Sequence, residues 1–334
     1  MRVLYDVMLK EFQRVLLKKG FDEKTAFEAA SNFAQTSLDG VYSHGINRFP
    51  RVISYIDNGV IDPNAQPVCE TKCGIMEKWN GNLALGNTNA MKAMDRACEL
   101  AKEHGVGVVA LKNTNHWMRG GAFGWQAADK GCIGICWTNT MPNMPAYGAK
   151  DRRIGNNPFI MSVPRSNGEH VVIDCALSQF SYGKIEESRL KGKALPVPGG
   201  YDSEGNLTTD AAEIEKTWRV LPIGFWKGSG LSIVLDMVAA VLSGGNSVGD
   251  IGETIGEEAG LSQVLIAIDP TKLSSREEID AVVDKIIDYV KGSEPVQENG
   301  VISYPGESSL RTRKDNLENG IPVIEEIWNS ILNM

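Results

Sequence analysis

The chain has 334 residues, 42% of them hydrophobic and 23% charged, with a formal net charge of −8 and a pI of about 5.2. That length buries a full core, as one large domain or two lobes, and the composition is that of an ordinary soluble globular protein. An acidic chain without a long basic block repels phosphate backbones, so nucleic acid is excluded as an expected partner. A small anion held by a few placed cations is not excluded.

Lys10, Glu11 and Arg14 break any early apolar run of the signal-peptide kind. The most apolar later stretch, Leu231 to Leu242, contains Ser232 and Asp236 and is too short to span a bilayer. We therefore expect a cytoplasmic protein that makes no membrane contact.

The first sixty residues read as helices. Leu4, Met8, Phe12, Val15 and Leu16 recur at helical spacing, and Gly20 stops the run. Asp22 can cap a second helix carrying Ala26, Ala29, Ala30 and Phe33, which closes near Gly40. A third holds Phe49, Ile53 and Ile56. Pro50 must lie in its first turn, since deeper it would remove a helix hydrogen bond. His44 and Arg48 then fall at or just before a helix N-terminus. A Pro/Asn-rich connector, Asp62 to Pro67, follows.

Helices and strands alternate beyond it. A helix is expected over Thr88 to His104, a strand over Val106 to Leu111, a helix over Gly121 to Ala128, and strands over Ile133 to Trp137, Phe159 to Val163, His170 to Ile173 and Val264 to Ile268. Gly192 to Asp210, rich in Gly, Pro and Asp, reads as a long loop. A helix is expected from about Leu231. Ser275-Arg276-Glu277-Glu278 is a capping-box pattern opening another, and the chain ends helical. The alternation argues for an α/β class. We divide the chain into an N-terminal helical segment, 1–65, that packs with 308–334, and an α/β part, 66–307, that binds substrate and cofactor.

The six cysteines include the pairs Cys69/Cys73 and Cys132/Cys136, whose spacing is not that of a zinc ribbon or redox site. They read as reduced thiols, Cys132 and Cys136 in the core. The four histidines show no HxxxH-type spacing either, so no metal site is expected.

Three expected strands end in polar clusters: Asn113, Asn115 and His116; Thr138, Asn139 and Thr140; Asp174 and Ser178. Ligands of open α/β sheets bind beyond the carboxyl ends of strands, so these clusters can converge on one site. Ordinary capping of βα loops is the competing explanation for each. Gly105-Val106-Gly107-Val108-Val109-Ala110 matches GxGxxA on paper, but a helix precedes it and a strand follows. The dinucleotide fingerprint needs the reverse, so no standard Rossmann site is read here.

His44 and Arg48 form the sharpest pair. Reduction of a 2-keto acid needs a cation for the carboxylate and a proton for the oxygen that receives the negative charge. Arginine offers a planar fork for the first, and histidine donates near neutral pH for the second. On spacing alone, a histidine and an arginine decorating a surface turn is the commoner outcome. His116, in Asn115-His116-Trp117-Met118-Arg119-Gly120-Gly121, is a second acid/base candidate or a structural residue. His104 suits a helix C-terminus. Gly224 to Gly230 and Tyr304 to Ser308 are turns before helices, weak candidates for holding phosphate.

Four strings carry a resemblance: Val41-Tyr42-Ser43-His44-Gly45-Ile46-Asn47-Arg48-Phe49-Pro50-Arg51, Asn115 to Gly121, Gly134-Ile135-Cys136-Trp137-Thr138-Asn139, and Phe225-Trp226-Lys227-Gly228-Ser229-Gly230. Over essentially its whole length the chain resembles the malate/L-lactate dehydrogenase family, an NAD(P)-dependent family with a two-lobed, non-Rossmann α/β fold and an N-terminal helical segment. The resemblance implies a homodimer that reduces a small 2-keto acid with NAD as cofactor, NADP remaining open. It implies His44 as proton donor and Arg48 at the substrate carboxylate. His116 matches the acid/base of the ureidoglycolate dehydrogenase branch and competes with His44. His170, Val171, Val172, Ile173, Asp174, Cys175 and Ala176, then Trp226 and Lys227, then Gly306, Glu307 and Ser308, match cofactor-binding segments. Two departures stand out: Gly155-Asn156-Asn157-Pro158 where the family commonly has Gly-Thr-Asn-Pro, and Asp174-Cys175-Ala176-Leu177-Ser178 where it often has Ala-Thr-Ser after the aspartate.

Overall fold

A computed structural model describes residues 1–254 and 258–334. The N-terminal helices are α1 (Tyr5–Lys18), α2 (Glu23–Leu38) and α3 (Phe49–Asp57). Asp22 caps α2, accepting from the backbone N–H groups of Lys24 and Thr25 at 3.0 Å each. Pro50 sits in the first turn of α3, where its missing N–H costs nothing. Met8, Phe12, Phe33 and Phe49 close a core with no exposed surface, and Ile321, Trp328 and Ile331 from the C-terminus join it. The Phe12 and Phe49 rings stack with centroids 4.3 Å apart.

The body is a seven-stranded mixed sheet. Its strands are β1 (Val68–Cys73), β2 (Met76–Asn80), β3 (Val106–Thr114), β4 (Ile133–Thr138), β5 (Phe159–Val163), β6 (Val171–Cys175) and β7 (Leu261–Ile268), in spatial order β1-β2-β3-β7-β4-β5-β6. Apart from the parallel β2–β3 pair, neighbours run antiparallel. It follows that β3, β4 and β6 point the same way. Their carboxyl ends share one end of the sheet with the starts of β5 and β7.

Helices cover both faces. α4 (Gly86–His104) and α5 (Gly121–Asp129) lie on one, over a row of paired residues running Glu77, Val109, Leu265, Cys136, Ile160, Asp174. The four middle members are fully buried. The other face packs Ala110, Val264 and Trp137 against α6 (Tyr182–Leu190), α7 (Ala211–Thr217) and α8 (Trp226–Ser243). α9 (Val248–Thr254), α10 (Arg276–Lys291), α11 (Glu307–Asn319) and α12 (Glu325–Leu332) complete the chain. Both bonds of the capping box at Ser275 form.

The strands expected from the sequence are found within a few residues; α6, α7 and α9 were not anticipated, and other details differ. The β1–β2 hairpin went unread because Cys69-Glu70-Thr71-Lys72 shows no apolar alternation on an exposed margin. Helix α4 begins at Gly86 rather than Thr88. α8 begins at Trp226 rather than near Leu231, because burial of Gly228 and Ser229 overrides the low helix propensity of glycine. The stretch from Gly192 to Asp210 is not wholly a loop: Gly200–Tyr201 pairs with Leu207–Thr208. Among the described residues α8 alone is long and apolar enough to cross a membrane. One of its faces lies on the sheet, where Trp137 Nε1 donates to the Leu235 carbonyl at 3.0 Å.

Candidate active site

The end of the sheet where β3, β4 and β6 finish collects the polar clusters. His44 ends a short 3-10 turn, Tyr42–His44, between α2 and α3. Gly45 holds this turn against α2: a Cβ there would lie 2.2 Å from Ser37 Oγ, which accepts from the Ile46 N–H at 2.8 Å. Arg48 is the N-cap residue of α3. Its guanidinium forms an ion pair with Glu258, just ahead of β7, the two side chains 15% and 22% exposed. The Glu258 carbonyl accepts the His116 N–H at 3.1 Å. One residue thus touches both halves of the site.

His116 lies beyond β3. The amide of Asn115 donates to the Leu83 and Ala84 carbonyls at 2.8 and 2.9 Å and fixes the segment. Gly86 lets the start of α4 press against it, since a Cβ would come within 2.2 Å of the His116 carbonyl oxygen. Met118 adopts φ 68°, which costs of order 1–3 kcal/mol for a non-glycine residue. That turn aims the Met118 N–H back at His116 Nδ1, 3.0 Å away.

The two imidazoles stack with centroids 5.8 Å apart and planes 26° from parallel. Burial, helped by Arg48 and Arg119, pushes His44 down to about 4. Burial, Arg48, His44 and Arg51 hold His116 well below 6.5. Burial and Arg51 pull Arg48 down to about 10, so it is still charged at neutral pH. Two stacked rings beside one guanidinium can polarise a carbonyl, deliver a proton to it and anchor a carboxylate.

The residues matched to cofactor segments line the margin formed by β6. Ile173 is 42% exposed there. The Asp174 carboxylate accepts the Gly121 N–H at 2.7 Å at the start of α5, and desolvation raises its pKa. Gly306 packs on this strand, and the Val172 N–H donates to the Pro305 carbonyl at 2.9 Å. At the other end the Leu177 carbonyl accepts the Ile223 N–H at 2.9 Å, close to exposed Trp226 and Lys227. Cys175 is half-buried, and Glu307 pairs with Lys291. His170 differs from its neighbours. It is 4% exposed, accepts the Arg165 N–H at 3.0 Å on Nδ1 and meets Asp129 at 3.0 Å through Nε2. Both ring nitrogens are engaged, so its side chain has nothing left to offer a cofactor. Among the described residues no cluster of His, Cys, Asp and Glu is arranged to hold a metal.

The profile of the malate/L-lactate dehydrogenase family matches residues 3–332. The chain belongs to the malate/L-lactate dehydrogenase family. A 2,3-diketo-L-gulonate reductase of Citrobacter koseri is 50% identical over 331 residues, 99% of each chain. Among solved structures, the sulfolactate dehydrogenase of Methanocaldococcus jannaschii superposes with a TM-score of 0.91 at 32% identity, covering 99% of this chain and 95% of that one. The malate dehydrogenase of Entamoeba histolytica gives 0.94 at 26% identity, covering 100% and 96%. The non-Rossmann α/β fold is thus that of the family, whose members here are dehydrogenases and reductases of hydroxy and keto acids. Within this family frame, sequence reasoning missed Glu258 and the interior pair Asp39–Arg119. Glu258 gave no local signal. Asp39 gave a faint one, a carboxylate at a helix C-terminus, where the helix dipole disfavours it.

Proposed function

We propose that the chain is a 2,3-diketo-L-gulonate reductase that uses NADH to reduce the C2 carbonyl to the hydroxyl of 3-dehydro-L-gulonate. The observation that carries this reading is the stacked His44–His116 pair beside the guanidinium of Arg48, a carboxylate anchor. The whole-length relative of that name supports the substrate.

The margin at β6 fits an extended dinucleotide. It is the edge of the sheet, and Gly306 lets the 305–306 backbone lie close against it, where a Cβ would come 3.1 Å from the Val172 nitrogen. Its exposed Ile173 and the carboxylate of Asp174 offer an apolar surface and a hydroxyl acceptor. Asp174, Gly306 and the backbone around Val172 would hold the cofactor, with Trp226 and Lys227 at the far end. A bound nicotinamide supplies the hydride. Arg48 takes the substrate carboxylate.

The ring partners separate the two histidines. His116 Nδ1 accepts a backbone N–H, so the neutral ring carries its proton on Nε2, and protonating Nδ1 would break that bond. His116 is therefore a fixed donor to the carbonyl oxygen. His44 Nδ1 faces Ser43 Oγ at 2.9 Å. A hydroxyl donates to a neutral ring and accepts from a charged one, so His44 can cycle its proton. His44 is the proton donor in this reading. A substrate carboxylate on Arg48 cancels part of the positive field that depresses His44, and so raises its affinity for a proton as the substrate arrives.

α8 presents Leu231, Val234, Met237 and Val241 to solvent along one face, Val241 being 78% exposed. A contiguous apolar stripe of this kind suits burial against a second copy, in keeping with a homodimer. The unpaired cysteines suit a reducing compartment such as the cytoplasm.

Purified protein should oxidise NADH with 2,3-diketo-L-gulonate at a higher kcat/KM than with pyruvate or oxaloacetate, and faster than NADPH. A preference for oxaloacetate, or no turnover across the panel, would overturn the assignment.

A further inference from the structure

Asp39 is the C-cap residue of α2, five residues before His44. Arg119 comes three residues after His116 and shortly before α5. The two side chains pair in the interior, 6% exposed for Arg119 and 1% for Asp39. Asp39 also accepts from Arg313 Nε at 2.7 Å and Nη2 at 3.0 Å, and from Gln35 Nε2 at 2.8 Å. The Arg313 guanidinium lies 4.8 Å above the ring of Trp125. Arg119 Nη2 reaches Ser309 Oγ at 3.4 Å, in the first turn of α11 that Gly306 opens. Arg119 Nε is buried and has no hydrogen-bond partner among the described residues. A Cβ on Gly121 would lie 3.3 Å from it and 2.7 Å from Asp174 Oδ2. Arg119 therefore reaches from Asp39 on one side to the neighbourhood of Asp174 on the other.

A buried ion pair gives little net stability compared with apolar packing of the same volume. What this one does is join segments distant in sequence: the turn with His44, the turn with His116, and the start of α11. We propose that Arg119, gripped by Asp39, is a positioning residue that sets His44 in register with His116 and ties both to the 306–309 turn. The inference rests on the reading of His44 as proton donor. The geometry supplies the reason. Two imidazoles on separate loops share no hydrogen bond, so their register depends on what fixes the loops, and a displacement of about 1 Å costs up to a hundredfold in rate.

The charge of Arg119 acts on His44 as well. His44 is faced by Ser43 and Arg48 from its own segment and by His116 and Arg119 from the 115–121 segment. Gly183 of α6 approaches the neighbouring Ser43. Glu258 lies behind Arg48, and Asp39 behind Arg119.

Arg119→Met keeps the bulk, removes the fork and the charge, and leaves Asp39 paired with Arg313, so no buried carboxylate is orphaned. Arg119→Lys keeps the charge and loses the fork. The readouts are the titration midpoint of His44 by NMR, assigned with His44→Gln among only four histidines, and the limiting rate at the acid end of the pH profile. In Arg119→Met the midpoint should rise by about one pH unit and the limiting rate fall by about tenfold to a hundredfold. In Arg119→Lys the midpoint should stay and the rate should still fall. Melting temperature is followed in parallel. Wild-type rates in both variants, or losses that only track unfolding, would reduce the pair to a structural contact. Full rescue by lysine would show that charge alone suffices and would also overturn the positioning role. If the wild type reduced no keto acid the functional reading would fail, while the midpoint comparison would still decide whether Arg119 acts on His44.

Discussion

The turn that carries His44 and the turn that carries His116 put the same ring in the same small space and hold it differently. His44 stands on a single 3-10 turn with a hydroxyl at its second nitrogen. His116 stands on a loop with a backbone N–H at that nitrogen, a left-handed residue two positions on, and α4 pressed against its carbonyl. A hydroxyl partner tolerates either charge state of an imidazole, whereas a backbone donor tolerates only the neutral one. The difference teaches that two rings equally near a reacting carbonyl can still be told apart: in the proposed reading the partner of the distal nitrogen assigns the proton.

The largest test of that contrast is a pair of alanine variants. His44→Ala should lower kcat by about a thousandfold, the scale of lost general acid catalysis. His116→Ala should lose a polarising hydrogen bond and fall by only about ten- to a hundredfold. Rates in the opposite order would transfer the proton to His116 and dissolve the comparison.

Arg48 sharpens it from the substrate side. Arg48→Ala should raise KM for the keto acid by about a hundredfold, the worth of a charge-assisted forked contact, with a smaller change in kcat. Arg48→Lys should recover part of the affinity because a point charge replaces the fork. The same variants should move the pH at which activity is lost, since Arg48 is among the causes of the low His44 value. A purely structural Arg48 would leave KM alone.

Much of this was legible in the sequence and some was not, for physical reasons. The Asp22 cap, Pro50 in a first turn and the Ser275 capping box are local rules, and the structure obeys them. The strands carrying Val109, Cys136 and Val264 announced themselves because burial on both faces demands continuous apolar runs. In the sequence the convergence of His116, Thr140 and Ser178 on one sheet end competes with ordinary capping of βα loops. It comes about because antiparallel partners alternate with β3, β4 and β6, not because the sheet is parallel. The Arg48–Glu258 and Asp39–Arg119 pairings could not be read because each joins residues at least 80 positions apart, and no short pattern records such a meeting, even though Asp39 alone left a faint trace. His170 shows the limit of matching by resemblance: it falls in a segment matched to cofactor binding, and the structure gives both of its ring nitrogens partners within the protein, which leaves its backbone as what it can offer.

The low values of the two histidines also bear on stability. Their ordinary value is 6.5, and the folded chain holds His44 near 4 and His116 well below 6.5. The unfolded chain therefore binds more protons as the pH falls. Their contribution is complete above about pH 6.5 and is lost as the pH drops toward 4. The melting temperature of the wild type should fall more between pH 6.5 and 4.5 than that of a His44→Asn/His116→Asn double variant. Parallel slopes would mean that neither ring is held neutral by the fold.

The smallest expected effect comes from Glu258, and it probes what the substrate must do on arrival. Its carboxylate sits on the guanidinium that the proposed function assigns to the keto-acid carboxylate, in a pair where Arg48 Nε and Nη2 are already buried. Two carboxylates cannot both take the fork, so an incoming substrate shares Arg48 or displaces Glu258. Glu258→Gln keeps the shape and removes the competing charge. KM should fall by about fivefold, the scale of a partly exposed ion pair, while kcat stays close to wild type because the glutamine leaves His44 and Ser43 untouched. A rise in KM would carry the opposite meaning: Glu258 would then be aiming Arg48 rather than occupying it, and the pair would belong with Asp39–Arg119 as a device that orients an arginine, leaving the His44 turn still more dependent on its neighbours than the loop of His116.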